Sequence, residues 1–110
     1  MLSLELKSLR AATMALQRQM NGNMPSNLLF SIASSGLGDN AAKLADEGRN
    51  RPFTHTPKRS IEDWLAHTVI YADLIAEAEE IDLAEAIARR INEICWREGI
   101  GPLLLTAGES

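Results

Sequence analysis

Residues 60–80, SIEDWLAHTVIYADLIAEAEE, constrain the fold more than any other stretch, because a helix start, its faces and its end can all be read there. Ser60 with Asp63 three residues on has the form of a capping box, which places a helix start at Ser60. Ile61, Trp64, Leu65, Thr68, Tyr71, Ala72, Ile75 and Ala78 follow steps of three and four, and Val69, Ile70 and Leu74 widen the stripe. A stripe this wide calls for packing on several sides. Glu77, Glu79 and Glu80 mark the end that turns to solvent.

The remainder of the chain is consistent with helix. Its 110 residues fit one domain with a single core. Apolar residues make up 45% with only four prolines, and Ala, Leu, Ile, Glu and Arg dominate, which predicts an all-α fold. The expected helices cover about 3–20, 27–47, 60–80 and 82–98, with a long loop at 48–59 and a tail at 99–110. In the first helix Leu2, Leu6, Leu9, Thr13, Leu16 and Met20 share a face, leaving Arg10, Gln17, Arg18 and Gln19 as a solvated side. Asn21-Gly22-Asn23 stops it.

In the second helix, LLFSIASSGLGDNAAKLADE, Gly36 and Gly38 are weak points. Each interior glycine costs about 1 kcal/mol relative to alanine. Either the helix breaks there and Asp39 caps a new one, or another backbone comes close. Asp82 with Glu85 forms a second capping box, and Leu83, Ala86, Ile87, Ile91, Ile94 and Cys95 form the buried stripe of the fourth helix. Only a few residues link the third and fourth helices, which predicts an antiparallel hairpin.

A net charge of -4 makes nucleic acid a poor partner. Cys95, the single cysteine, excludes an internal disulfide and a cysteine-based zinc cluster and suits a reducing cytoplasm as a small buried hydrophobe. No apolar run approaches the roughly 20 residues that span a bilayer, so a soluble, cytoplasmic protein is expected. The loop GRNRPFTHTPKR carries Arg49, Arg51, Lys58 and Arg59 together with His55; it is either a solvated connector or a phosphate-contacting loop. Leu103, Leu104 and Leu105 in the tail call for docking on the body or on a second subunit.

The helix order, the string HTVIYADLIAEAEEIDLAEAI and the following RRINEICWREG resemble the MazG-like all-α nucleoside triphosphate pyrophosphohydrolases, specifically their small phage and bacterial branch. LRAATMALQ and GLGDNAAKLADE are similar to that branch's first and second helices. The resemblance implies a four-helix core that dimerises and splits a nucleoside triphosphate into monophosphate and pyrophosphate. Magnesium in such enzymes is held by an E-x-x-E pair on the second helix and an E-x-x-D pair on the third, since residues three apart share a helical face.

In this chain the third-helix pair falls on Trp64 and His67 and the second-helix pair on Gly36 and Asp39, so one acid of four is left. The expectation is therefore a protein whose catalytic carboxylates are lost, with no catalytic residue and no cofactor. Such a protein would bind a nucleotide or a protein partner, including a host protein if the chain is a phage inhibitor.

The alternative is a pyrophosphohydrolase with an altered magnesium or manganese site at Asp39, Asp63 and His67. By the same resemblance, Gln17, Arg18, Arg90 and Asn92 are candidates for nucleotide contact. Trp64 and Trp96, large and apolar, are candidates for an interface in a homo-oligomer.

Overall fold

The computed structural model describes residues 5–101, and among these the chain is all-helical with no strand. α1 (Leu6–Asn21), α2 (Ser26–Asn50), α3 (Lys58–Ala78) and α4 (Leu83–Arg97) follow in order, with a single 3-10 turn at Arg51–Phe53. The chain divides into two compact units between Glu79 and Glu80. No helix among the described residues is long and apolar enough to cross a membrane. Leu2 and the tail leucines 103–105 lie outside the described residues.

The first unit is built on a hairpin of α2 and α3. Leu29, Ala33 and Leu74 form its buried core, with Met14, Met24, Ile70, Tyr71, Ile75 and Ala78 packed against them. Two turns beyond Leu29, Gly36 meets Tyr71, so later positions on α2 face earlier ones on α3 and the two helices run antiparallel.

Gly36 also resolves the two readings of the second helix. α2 is unbroken through both glycines, and Asp39 caps nothing. A Cβ at Gly36 would stand 2.5 Å from Tyr71 Cζ and within 2.7 Å of two further ring carbons, so the glycine admits a tyrosine ring against the helix backbone. Gly38 faces open space.

Opposite outcomes are expected at the two positions. Gly36→Ala should lose about 1–2 kcal/mol net, because displacing a half-buried ring costs more than the helix propensity gained. Gly38→Ala should gain about 0.5–1 kcal/mol. Urea denaturation of both variants measures the difference, and a stabilised Gly36→Ala would show that the ring gives way freely.

The helix boundaries differ from the sequence expectation around the long loop. α2 continues to Asn50, and α3 begins at Lys58 with Pro57 as its N-cap residue and no side-chain cap. The Ser60–Asp63 capping box is therefore not formed, and Ser60 already lies inside the helix. Its N–H and that of Ile61 bond to the Pro57 carbonyl. Proline, with its φ preset near the helical value and no N–H to satisfy, starts the helix three residues earlier than a serine cap at Ser60 would. The loop shrinks to the 3-10 turn and residues 54–57.

α1 begins at Leu6 and α2 at Ser26, neither with a side-chain cap, whereas at the end of α1 and the start of α4 the local chemistry acts as read. Gly22, with φ +71°, ends α1 and returns its N–H to the Arg18 carbonyl. Asp82 caps α4 by accepting the Glu85 N–H at 3.0 Å. Within the second unit Ala88, Asn92 and Cys95 are the buried positions of α4, at spacings of four and three. Leu83, Ala86 and Ile91 are half-buried, but Ile87 and Ile94 are exposed, which narrows the predicted stripe.

Candidate functional site

The largest fully buried side chain among the described residues is a charged one. Asp73, on α3, is 1% exposed and accepts hydrogen bonds from Arg10 Nε at 2.9 Å and from Thr13 Oγ1 at 3.0 Å. Arg10 also donates to Glu77 Oε2 at 2.7 Å, so one guanidinium spans two carboxylates one turn apart on α3. Burial pulls the Arg10 pKa down, but the hydrogen bond and charge of Asp73, then those of Glu77, outweigh it and leave the group raised. The arrangement fixes α1 on α3 through a buried ion pair.

This network shifts the predicted face of α1, of which Leu9 and Thr13 stay buried as expected. Arg10 and Gln17, expected on the solvated side, turn inward with Leu9 and Thr13, while Leu16 and Met20 are exposed. A buried carboxylate demands a cation more strongly than a marginal apolar contact demands cover, so the helix rotates to deliver Arg10. Glu77 is likewise half-buried rather than solvent-facing. Asp73 was passed over in the sequence. Its signal is an acid enclosed by apolar neighbours in VIYADLIA, matched by an arginine in the predicted first helix.

The proposed nucleotide contacts fall in different environments. Gln17 is 7% exposed, and its Nε2 is buried with no hydrogen-bond partner. Arg18 is exposed. In the second unit Arg90 is exposed and paired with Glu93 at 3.1 Å, while Asn92 is buried. Arg89 and Arg90 together hold the Glu93 carboxyl below its usual value.

The three residues expected to form an altered metal site are all exposed. Asp39 points outward because Asn40 takes the inward position and donates to the Gly36 carbonyl at 2.8 Å. Asp63 pairs loosely with Arg59 at 3.5 Å, and the His67 ring lies 6.2 Å from that of Tyr71. Among the described residues, no three His, Cys, Asp or Glu side chains are gathered as a metal site requires. Of the interface candidates, Trp64 is half-buried and Trp96 is 81% exposed.

At the connected end of the hairpin Glu47 acts as a clamp. Its carboxylate accepts from Thr56 Oγ1 at 2.6 Å, Arg51 Nη1 at 2.7 Å and Thr54 Oγ1 at 3.5 Å. The Thr56 hydrogen bond leads in holding its pKa below the ordinary 4.5; burial opposes, and Arg51 adds to the lowering. A carboxyl depressed on folding contributes stability that is complete above the unfolded value and is lost as pH falls through the lower folded value. The 51–56 segment should therefore keep its amide protection down to about pH 4.5 and lose it below. Hydrogen exchange across that range checks this, and Glu47→Gln should remove the pH step.

The chain thus defines an all-α protein whose first unit is a helical hairpin with α1 docked by a buried ion pair. Comparison with family models, curated proteins and solved structures returns no match.

Proposed function

We propose that the chain is an interaction module on a MazG-like helical bundle that has lost its hydrolytic carboxylates, and that it acts by binding a protein surface. A second copy of the chain is the first candidate, and a host protein met by a phage-encoded inhibitor is the wider class. The observation that supports this is uncovered apolar surface. Leu65 and Val69, one turn apart on α3, are 51% and 46% exposed. On α1, Leu16 and Met20, also one turn apart, are 52% and 71% exposed. Large side chains held in water in rows mark a surface meant to be covered.

A second reading, nucleotide binding, is favoured by the buried Gln17 amide, a donor for which the described residues supply no acceptor. Hydrolysis with magnesium or manganese at Asp39, Asp63 and His67 would require those side chains to converge.

Light scattering at micromolar concentration tests the first reading, with a mass of at least twice 12.1 kDa expected. Leu65→Glu with Val69→Glu should give the monomer with unchanged helicity, and a monomeric unmodified chain would count against self-association. Calorimetry with nucleotides, with and without magnesium, separates the alternatives. Metal-independent binding supports a nucleotide module, and metal-strengthened binding supports the altered enzyme.

A further inference from the structure

The connection between α2 and α3 forms an open hollow of about 460 Å³ lined by Arg51, Thr54, His55 and Thr56. The geometry points to a binding site for a small phosphate monoester in this hollow, separate from the apolar rows on α1 and α3. The volume falls within the roughly 300–1,000 Å³ of small-molecule sites and exceeds what a bare phosphate needs. Every lining side chain is polar and none is acidic.

Glu47 sets three of the four lining residues before any ligand arrives, since Arg51, Thr54 and Thr56 all donate to it. Such prior ordering lowers the entropy a ligand must otherwise overcome. Only one N–H of Arg51 is used in that bond, and its side chain is 64% exposed, so most of the guanidinium fork is open to an oxyanion. His55 is exposed and, among the described residues, makes no side-chain hydrogen bond. The phosphate falls to these two. With their protons committed to Glu47, the threonine oxygens can accept from a hydroxyl on the ligand's organic part.

Two further features suit the same ligand. Residues 50–59 carry Arg51, Lys58 and Arg59 and no acid; Arg51 and Arg59 each pair with one carboxylate from outside the segment, Glu47 and Asp63, and Lys58 adds a further positive charge. Lys58 and Arg59 occupy the first turn of α3, where acids are the usual choice, so their charge adds to the positive end of the helix dipole. Phe53, in the 3-10 turn between Arg51 and Thr54, is 85% exposed and offers a face to a flat organic group.

Titration of the ¹⁵N-labelled full chain with phenyl phosphate and, separately, with inorganic phosphate tests the site. Saturable amide shifts confined to residues 51–59 are expected, with phenyl phosphate the tighter probe. Arg51→Ala and His55→Ala should each weaken phenyl phosphate about ten-fold, the loss of one charge-assisted hydrogen bond. Phe53→Ala should weaken phenyl phosphate and leave inorganic phosphate unchanged, and Arg49→Ala should change neither. His55→Ala keeps the test clear of folding effects, since His55 holds nothing in place. No saturable shift up to about 10 mM, or full affinity in both Arg51→Ala and His55→Ala, would overturn the site. Equal affinity for the two probes would overturn the monoester assignment.

Discussion

Replacing Arg10 with alanine is expected to destabilise the first unit by about 3–5 kcal/mol, the usual range when one partner of a buried ion pair is removed. Arg10 itself is partly exposed, so the cost does not lie in its own lost contacts. It lies in Asp73, which at 1% exposure keeps, among the described residues, the Thr13 hydroxyl alone once the guanidinium has gone. Against a typical stability of about 5–15 kcal/mol, such a loss brings the unit close to unfolding. Arg10→Met combined with Asp73→Leu should recover most of it, because two apolar side chains leave no stranded charge. Chemical denaturation of the single and double variants is the measurement. A loss below about 1 kcal/mol for Arg10→Ala would mean that water reaches Asp73 and that the network does not hold α1.

Leu74→Ala should cost about 2–5 kcal/mol, since Leu74 lies in the core of the hairpin and truncation opens a cavity against Leu29 and Ala33. Leu65, which shares a helix with Leu74 and was expected from its spacing to be equally buried, is 51% exposed. Within a single chain Leu65→Ala should therefore cost well under 1 kcal/mol. If a second copy covers the Leu65–Val69 row, its cost should rise with protein concentration while that of Leu74→Ala does not. Thermal melts at two concentrations a hundred-fold apart separate the cases. A concentration-independent loss of several kcal/mol at Leu65 would show that the row is buried within the chain.

Much of the secondary structure was legible because its causes are local. Gly22 ends α1, and Asp82 starts α4, through backbone and side-chain groups only a few residues away. A local device that failed, the Ser60–Asp63 box, lost to another local feature, Pro57. The candidate site was less legible. His67 and Asp63 share a face of α3, as their spacing requires, but whether Asp39 converges on them depends on the rotation of α2. That rotation is set by Gly36 on Tyr71 and brings Asn40, not Asp39, inward.

By itself the sequence determined that the chain is helical, because composition and the three-and-four spacing of its apolar residues act within a turn or two of each position. It also determined where most helices end. Only the tertiary structure decided which face of each helix is buried. On α1 the apolar row Leu16–Met20 stays in water while Arg10, Thr13 and Gln17 turn inward, because the buried Asp73 carboxylate lies 60 residues away in sequence from its Thr13 partner. The energy of pairing that charge exceeds the difference between two possible apolar stripes, and no window of local sequence contains both partners.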